Sequence, residues 1–182
     1  MSLKIITGDY RGRTLETPDV TDPTSPIRPT KGMVREAMFN ILFARVDFEN
    51  LNILDLFSGS GQAGIECLSR GAEHVTFVDT QPECTQKNLR ALEVDALRYS
   101  VMSNNVLAVK TNKVADVIFA DPPYGKSLIN DILKRKDDFG TTETLWMLEF
   151  ERGFTPEVND EHFDVIKLKR FGKSMIMLLE QK

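Results

Sequence analysis

From residue 51 onward, short apolar runs alternate with stretches of helical periodicity. The apolar runs Asn52–Leu56 and Val75–Val78 are each followed by a segment that predicts a helix, Gln62–Arg70 and Pro82–Leu97 respectively. Parallel strands need a crossover connection, usually a helix, so this alternation is typical of a parallel sheet covered by helices. The pattern predicts an α/β fold in which the loops that follow the strands gather at one edge of the sheet.

The second half of the chain continues this pattern and then changes it. Residues Val114–Ala120 predict a further buried strand that ends at Asp121, and Ser127–Arg135 predicts a helix. Three more strands are expected at Leu145–Glu149, Phe163–Leu168 and Ser174–Leu179. Only the short segment around Arg170-Phe171-Gly172 separates the last two, which favours an antiparallel pair. We expect a mostly parallel, Rossmann-like sheet with an antiparallel pair of strands at its C-terminal end.

The N-terminal residues predict a small extension. Two short extended runs, Leu3–Ile6 and Arg13–Leu15, flank the turn-rich segment Gly8–Gly12, which fits a β-hairpin. Residues Thr17–Thr30 are dense in proline and threonine and predict an ordered surface loop. Thr30 can then cap a helix whose apolar positions recur at helical spacing, at Val34, Met38, Ile41 and Leu42. We expect one domain over residues 1–182, of which residues 1–46 are the extension.

Composition narrows the class of protein. With 182 residues and 41% hydrophobic content, the chain suits a single large core. Its formal net charge of -4 means that any surface for nucleic acid must be local. No leader-like run and no apolar stretch of about 20 residues is present, so we expect a cytoplasmic protein. Cys67 and Cys84 lack the spacing of a disulfide or metal site, and we expect no metal.

A glycine-rich turn follows the strand that ends at Leu56. Its pattern Gly59-x-Gly61-x-x-Gly64 matches the dinucleotide fingerprint, and Asp79 follows at the interval expected for a ribose-binding carboxylate. Asp55, four residues before the first glycine, favours a different ligand: a carboxylate there suits a cationic amine, as in S-adenosylmethionine, and suits a pyrophosphate poorly. Two structural alternatives stay open, an ordinary strand-end carboxylate for Asp55 and a helix cap for Asp79.

The tetrapeptide Asp121-Pro122-Pro123-Tyr124 follows another buried strand and should lie at the same edge of the sheet. Consecutive prolines make the segment rigid and remove amide donors, which suits aiming acceptors at an amino group. The Asp121 carboxylate and the Pro122 carbonyl could accept the two N–H groups of an exocyclic base amine, while Tyr124 stacks on the base. Most of the rate would come from positioning and electrostatics. The structural alternative is a strand-terminating turn with a packed tyrosine.

Several stretches together resemble the RsmD-like family of 16S rRNA guanine-N2 methyltransferases, and the resemblance runs over nearly the whole chain. They are Ile5–Arg13, Arg28-Pro29-Thr30, Val34–Asn40, Leu54–Gly61, Leu68–Ala72 and Asp121–Tyr124. The resemblance implies the S-adenosylmethionine-dependent methyltransferase fold, S-adenosylmethionine as cofactor, and a monomer that methylates the N2 of a guanine in small-subunit rRNA. It leaves open which nucleotide is modified, and whether the substrate is naked rRNA or a partly or fully assembled subunit.

The resemblance also implies roles for individual residues. The catalytic set is Asp121, Pro122, Pro123 and Tyr124. The cofactor set is Asp55, Phe57, Gly59, Ser60, Gly61, Asp79 and Thr80, with Asn104 or Asn105 at the adenine amino group. The RNA-contacting set is Arg11, Arg13, Arg28, Thr30 and Arg35, in a part of the chain where basic residues outnumber acidic ones although the chain is acidic overall.

This chain departs from the family pattern at several positions. Gly32 and Met33 stand where the family often has an acidic and then a basic residue, and Asp79 is shorter than the usual glutamate. Three other functions stay open: a DNA or protein amino-methyltransferase acting on adenine N6 or glutamine N5, a nicotinamide-dependent oxidoreductase, and a non-catalytic RNA-binding assembly factor. The chain is too short to hold the separate target-recognition domain that DNA adenine methylases usually need.

Overall fold

A computed structural model of the protein describes residues 3–18, 32–111, 114–123 and 128–182. Its strands, numbered along the chain, are β1 (Leu3–Lys4), β2 (Thr14–Leu15), β3 (Asn52–Leu56), β4 (His74–Asp79), β5 (Tyr99–Ser103), β6 (Val117–Ala120), β7 (Leu145–Glu151), β8 (Phe163–Phe171) and β9 (Ser174–Gln181). Strands β3 to β9 form one seven-stranded sheet in the order β5-β4-β3-β6-β7-β9-β8, and β1 pairs with β2.

The pairing directions follow the predicted pattern. Strands β5, β4, β3, β6 and β7 run parallel to one another, while β9 runs antiparallel to both β7 and β8. The predicted α/β fold, with its mostly parallel sheet and its C-terminal antiparallel pair, is therefore confirmed. The apolar runs did not delimit β5, because it lies at one end of the sheet and its side chains are only partly buried.

Four α-helices are present in the described residues: α1 (Gly32–Phe43), α2 (Gln62–Ser69), α3 (Glu83–Ala91) and α4 (Leu128–Leu133). The predicted helix Pro82–Leu97 is too long, because the backbone turns at Glu93, where φ is 55°. A short 3-10 helix over Ala96–Arg98 follows, capped by Asp95, whose carboxylate accepts from Leu97 N at 3.0 Å. The cap predicted at Thr30 lies outside the described residues.

The two faces of the sheet bury separate apolar clusters. On one face, the extension and α1 pack on the sheet, and the rings of Phe39 and Phe119 lie 5.6 Å apart. On the other face, Trp146 contacts Phe139 and Phe163 edge to face. Strands β3, β4 and β6 are thus packed on both faces of the sheet.

None of the helices in the described part of the chain has the length and apolar character that crossing a membrane requires.

Buried polar groups fix the hairpin of the extension onto α2. Glu66 is fully buried, and its carboxylate accepts from Ile6 N at 2.8 Å and Thr7 N at 3.1 Å. Arg70, one turn later, pairs with the same carboxylate at 2.7 Å. At Gly8, where φ is 82°, a Cβ atom would stand 1.7 Å from the Ser69 carbonyl oxygen, so only glycine fits. The extension is therefore built into the molecule by side chains as well as by apolar packing.

Candidate active site

A cavity of about 450 Å³ opens where β3, β4, β6 and β7 end. Its lining includes nearly every described residue that the sequence placed in the cofactor and catalytic sets: Asp55, Phe57, Gly59, Ser60, Asp79, Thr80, Asn105, Asp121, Pro122 and Pro123. Gly61 and Asn104 are not part of that lining. Tyr124 lies outside the described residues. The parallel arrangement of the strands brings these residues together because their carboxyl ends meet at one edge.

The glycine turn adopts a strained backbone that the fold holds in place. Phe57 has a φ of 62°, which is uncommon for a residue with a side chain, and Gly61 has a φ of 75°. A Cβ atom at Gly61 would lie 2.8 Å from the Thr85 side chain. Thr85 donates to the Gly59 carbonyl at 2.9 Å, and Asn88 donates to the Ser60 carbonyl at 2.8 Å. Two side chains of α3 thus hold the turn in place by hydrogen bonds to its carbonyl groups.

Asp79, at the end of β4, ties the turn to the neighbouring strand. One carboxylate oxygen accepts from Gly59 N at 2.8 Å, and the other accepts from Gln81 N at 2.9 Å. These bonds leave lone pairs on both oxygens for a further donor. Asp79 is half-buried at the rim, where a ligand hydroxyl could reach it.

The two asparagines after β5 are placed differently. Asn104 is exposed, and its side chain accepts from Asn105 N at 2.8 Å. Asn105 lines the cavity, and its side chain accepts from Leu107 N at 2.9 Å, which caps the 3-10 helix Val106–Ala108. Of the two, only Asn105 is in a position to meet a ligand in the cavity.

Asp55 is a deeply buried acidic group at the site. It is 4% exposed and accepts from Gly64 N at 2.9 Å. Burial raises its pKa to about 7, with smaller contributions from the negative charges of Asp79 and Asp121, while the Gly64 hydrogen bond opposes the rise. Asp55, Asp79 and Asp121 are three of the four described acidic residues that line the cavity, with Glu149 the fourth, and a cation among these carboxylates would be stabilised. Across the described residues, no group of His, Cys, Asp and Glu has the arrangement of a metal site.

Asp121 lies next to Phe57 along the sheet edge, two residues beyond the level of Asp55. Strands β3 and β6 pair in register, with Leu56 opposite Ala120, so the residue after each strand enters the same cavity. Asp121 and Pro123 are half-buried and Pro122 is buried, and all three line the cavity. A carboxylate and a proline-fixed backbone thus face the space that the glycine turn borders.

The predicted RNA-contacting residues are spread over different environments. Arg11 is exposed. Arg13 is exposed too, but it donates to the Ala91 carbonyl at 2.8 Å. Arg35 is only 6% exposed and donates to the Lys4 carbonyl at 2.7 Å, and burial lowers its pKa. Arg28 and Thr30 lie outside the described residues. Arg35 thus has a buried position rather than the surface position expected for a phosphate contact, and it lines the cavity.

Several residues around the cavity were not predicted from the sequence. Gln62, Glu149, Phe171 and Lys173 also line it. Glu149 could have been noticed, because it is an acidic residue inside the apolar strand β7. Asn88 could not, because its role depends on contacts with Glu16 and Ser60, which are far from it in sequence.

Comparison with known proteins places the chain among methyltransferases. The family model described as "Conserved hypothetical protein 95" matches residues 3–180. The ribosomal RNA small subunit methyltransferase D of Escherichia coli K12 is 34% identical over 144 residues, which cover 76% of this chain and 68% of that protein. A putative rRNA methyltransferase of Bacillus subtilis, YlbH, is 35% identical over 148 residues, covering 78% of this chain and 77% of that protein.

Solved structures agree with the fold. A putative methyltransferase from Escherichia coli superposes with a TM-score of 0.84 at 28% identity, covering 100% of this chain and 99% of that one. A putative methylase from Haemophilus influenzae gives a TM-score of 0.78 at 28% identity, covering 99% and 98%. The predicted methyltransferase fold is confirmed.

Proposed function

The chain belongs to the RsmD-like family, and from this premise we propose that it methylates an exocyclic amino group of ribosomal RNA with S-adenosylmethionine as donor. The finer proposal is that the target is the N2 of one guanine in 16S rRNA. The observation that supports it most is the single cavity lined by Asp55, Asp79 and Asp121, where one part suits the cofactor and the other suits an amine.

The residues around the glycine turn fit the cofactor. Asp55 is a buried carboxylate with a raised pKa, so a nearby ammonium group would favour its charged form. Asp79 keeps acceptor capacity for ribose hydroxyls, and Asn105 lines the side of the cavity that would face adenine. When bound, S-adenosylmethionine supplies an electrophilic methyl group on a sulfonium centre. Phe57, Gly59, Ser60 and Thr80 complete the proposed binding surface, and Gly61 gives the turn its shape.

The residues after β6 would orient the acceptor. The nitrogen of a base amine is a weak nucleophile because its lone pair is delocalised into the ring. The Asp121 carboxylate and the Pro122 carbonyl would each accept one N–H, which favours a pyramidal nitrogen whose lone pair points at the methyl group. Pro123 fixes the backbone, and Tyr124, proposed from the family resemblance, would stack on the base. Positioning and electrostatics, rather than a strong base, would supply most of the rate.

The extension would contribute to RNA binding. Residues 1–46 are proposed to contact RNA as part of one catalytic domain over residues 1–182, acting as a monomer. Arg11, Arg13, Arg28 and Thr30 are the proposed contacts with phosphates. For Arg35, the buried position supports a role in shaping the cavity wall beside the substrate.

Methyl transfer to small ribosomal subunits from cells that lack this protein tests the proposal. Labelled S-adenosylmethionine is supplied, and the labelled nucleoside is identified by mass spectrometry. We expect N2-methylguanosine from the wild type and none from Asp121→Ala, which removes the acceptor, while Asp160→Ala, a matched change at an exposed residue, stays active. Label in adenine or in protein would overturn the guanine assignment, and an active Asp121→Ala would overturn the proposed acceptor site.

A further inference from the structure

A short C-terminal segment of this acidic chain is strongly basic. Residues 163–173, which form β8 and the turn after it, contain four basic residues and one acidic residue, although the chain as a whole has a net charge of -4. The basic residues Lys167, Lys169, Arg170 and Lys173 are all exposed. None of them takes part in an ion pair with another described residue. We call residues 163–173 the basic hairpin. It presents positive charge to the solvent that no ion pair with a described residue compensates.

The register of the strands shows which side of the sheet two of these charges occupy. Lys167 lies opposite Leu178 and Lys169 lies opposite Ile176, and directly opposed residues share a face. Leu178 and Ile176 belong to the apolar cluster of the face that the extension and α1 cover. Both lysines are therefore on the same face as the extension, in the edge strand β8, and among the described residues no further strand pairs with its outer side.

The basic hairpin also reaches the active-site cavity. Phe171 and Lys173 line the same cavity as Asp121, and Thr17 and Pro18 of the extension line it as well. The Lys173 carbonyl accepts from Arg152 N at 2.8 Å, which brings a further exposed basic residue to this rim. A polymer that places one base in the cavity must lead its backbone across such a rim.

We propose that the basic hairpin binds the phosphate backbone of the RNA strand that carries the target base. This inference rests on the proposed function, since it needs a polyanionic substrate at the cavity. Lysines on an edge strand also discourage pairing with other chains. That role does not require positive charge at the cavity rim, whereas a phosphate track does, because charge there guides and holds the strand that enters. The extension and the basic hairpin would then hold the RNA from two sides.

The test is a triple variant, Lys167→Ala, Lys169→Ala and Arg170→Ala, compared with a control that removes the same charge elsewhere. The control is Arg90→Ala, Lys110→Ala and Lys134→Ala, three exposed residues that do not line the cavity. Binding to a small-subunit rRNA fragment is measured over a series of salt concentrations, with methyl-transfer kinetics and circular dichroism in parallel.

We expect the hairpin variant to lower the slope of log affinity against log salt by about 2, since a phosphate contact with single-stranded RNA contributes about 0.7. The KM for RNA should rise while kcat at saturating RNA and the affinity for S-adenosylmethionine stay unchanged. The control should keep the wild-type slope. Equal effects of both variants, or a wild-type slope and KM in the hairpin variant, would overturn the inference. So would unchanged binding to RNA with loss of binding to a protein component of the subunit.

Failure of the proposed function would give a different result from failure of this inference. The wild type would then bind S-adenosylmethionine without methylating RNA, and so would the hairpin variant. Wild-type protein that methylates RNA, together with a hairpin variant that matches it in KM and salt dependence, would remove this inference alone.

Discussion

The extension and the basic hairpin border the same cavity but are built in opposite ways. Hydrogen bonds of charged side chains hold the extension in place: Glu66 of α2 accepts from its backbone, Arg35 donates to the Lys4 carbonyl and Arg13 donates to the Ala91 carbonyl. In the basic hairpin, Lys167 and its neighbours are exposed and unpaired with other described residues. Basic residues in the two regions look alike in the sequence, yet among the described residues Arg13 and Arg35 already donate to backbone carbonyls, whereas those of the basic hairpin are exposed and form no ion pair.

This difference shows that a basic residue near the cavity does not necessarily contact RNA. A guanidinium that already donates to a backbone carbonyl would have to give up that bond to bind a phosphate. A free lysine gives up only water. We therefore expect substitution of Arg13 or Arg35, which donate to backbone carbonyls, to change stability first, and substitutions in the basic hairpin to change RNA affinity first.

The largest expected effect is the loss of folding stability caused by Glu66→Ala. The substitution leaves the buried Arg70 guanidinium without its carboxylate, and it leaves Ile6 N and Thr7 N without an acceptor. Breaking a buried pair by removing one partner costs about 3–5 kcal/mol of unfolding free energy. Urea denaturation measures it, with Glu73→Ala as the control at an exposed site. A loss no larger than that of Glu73→Ala would show that Glu66 does not hold the extension.

A smaller effect, dependent on pH, is expected at Asp55, whose charge is also buried. Burial raises its pKa to about 7 from an ordinary value of 3.8, so the unfolded chain releases this proton at lower pH than the folded chain. Ionisation then favours the unfolded state, and stability should fall by about 2 kcal/mol from about pH 5 to about pH 7, at 1.36 kcal/mol per pKa unit.

Asp55→Asn should remove that part of the pH dependence while keeping an oxygen for the Gly64 N–H. Thermal denaturation at a series of pH values, with the exposed Asp9→Asn as control, measures the difference. Identical pH profiles for the wild type and Asp55→Asn would show that the carboxyl is not the buried group that the structure describes.

A smaller effect still separates two arginines of the extension. Arg13→Ala removes the hydrogen bond to the Ala91 carbonyl and should cost about 1 kcal/mol of stability. Arg11→Ala, at an exposed position, should change stability by less than about 0.5 kcal/mol and should lower the salt slope of RNA binding by about 0.7. Denaturation and binding titrations on the same preparations test both. The reverse order, with Arg11 the more important for stability, would contradict the contacts described above.

Much of the fold and of the candidate site could be predicted from the sequence because it depends on local patterns. A few adjacent residues are enough to predict the strand Asn52–Leu56, the glycine turn and the strand that ends before Asp121. Parallel topology then places them together at one edge of the sheet. Arg35 did not have its predicted surface position, because a surface arginine and a buried one look the same in the sequence until the partner, Lys4, is known.

Other features depend on residues far apart in the chain. The Glu66 carboxylate meets backbone groups sixty residues earlier, and Asn88 joins Glu16 to the glycine turn. No periodicity or motif marks such pairs. The exposure of the basic hairpin likewise depends on β8 lying at the edge of the sheet, which only the strand order reveals.

One cavity is proposed to hold both the cofactor and the acceptor base, in separate parts. The most direct test measures the binding of labelled S-adenosylmethionine to the wild type, Asp79→Ala and Asp121→Ala. Methyl transfer is measured on the same samples. We expect Asp79→Ala to weaken cofactor binding about tenfold or more, as loss of a charged hydrogen bond would. Asp121→Ala should bind the cofactor within about twofold of the wild type and transfer no methyl group. Cofactor binding that depends on Asp121 as strongly as on Asp79, or not on Asp79 at all, would contradict this division of the cavity.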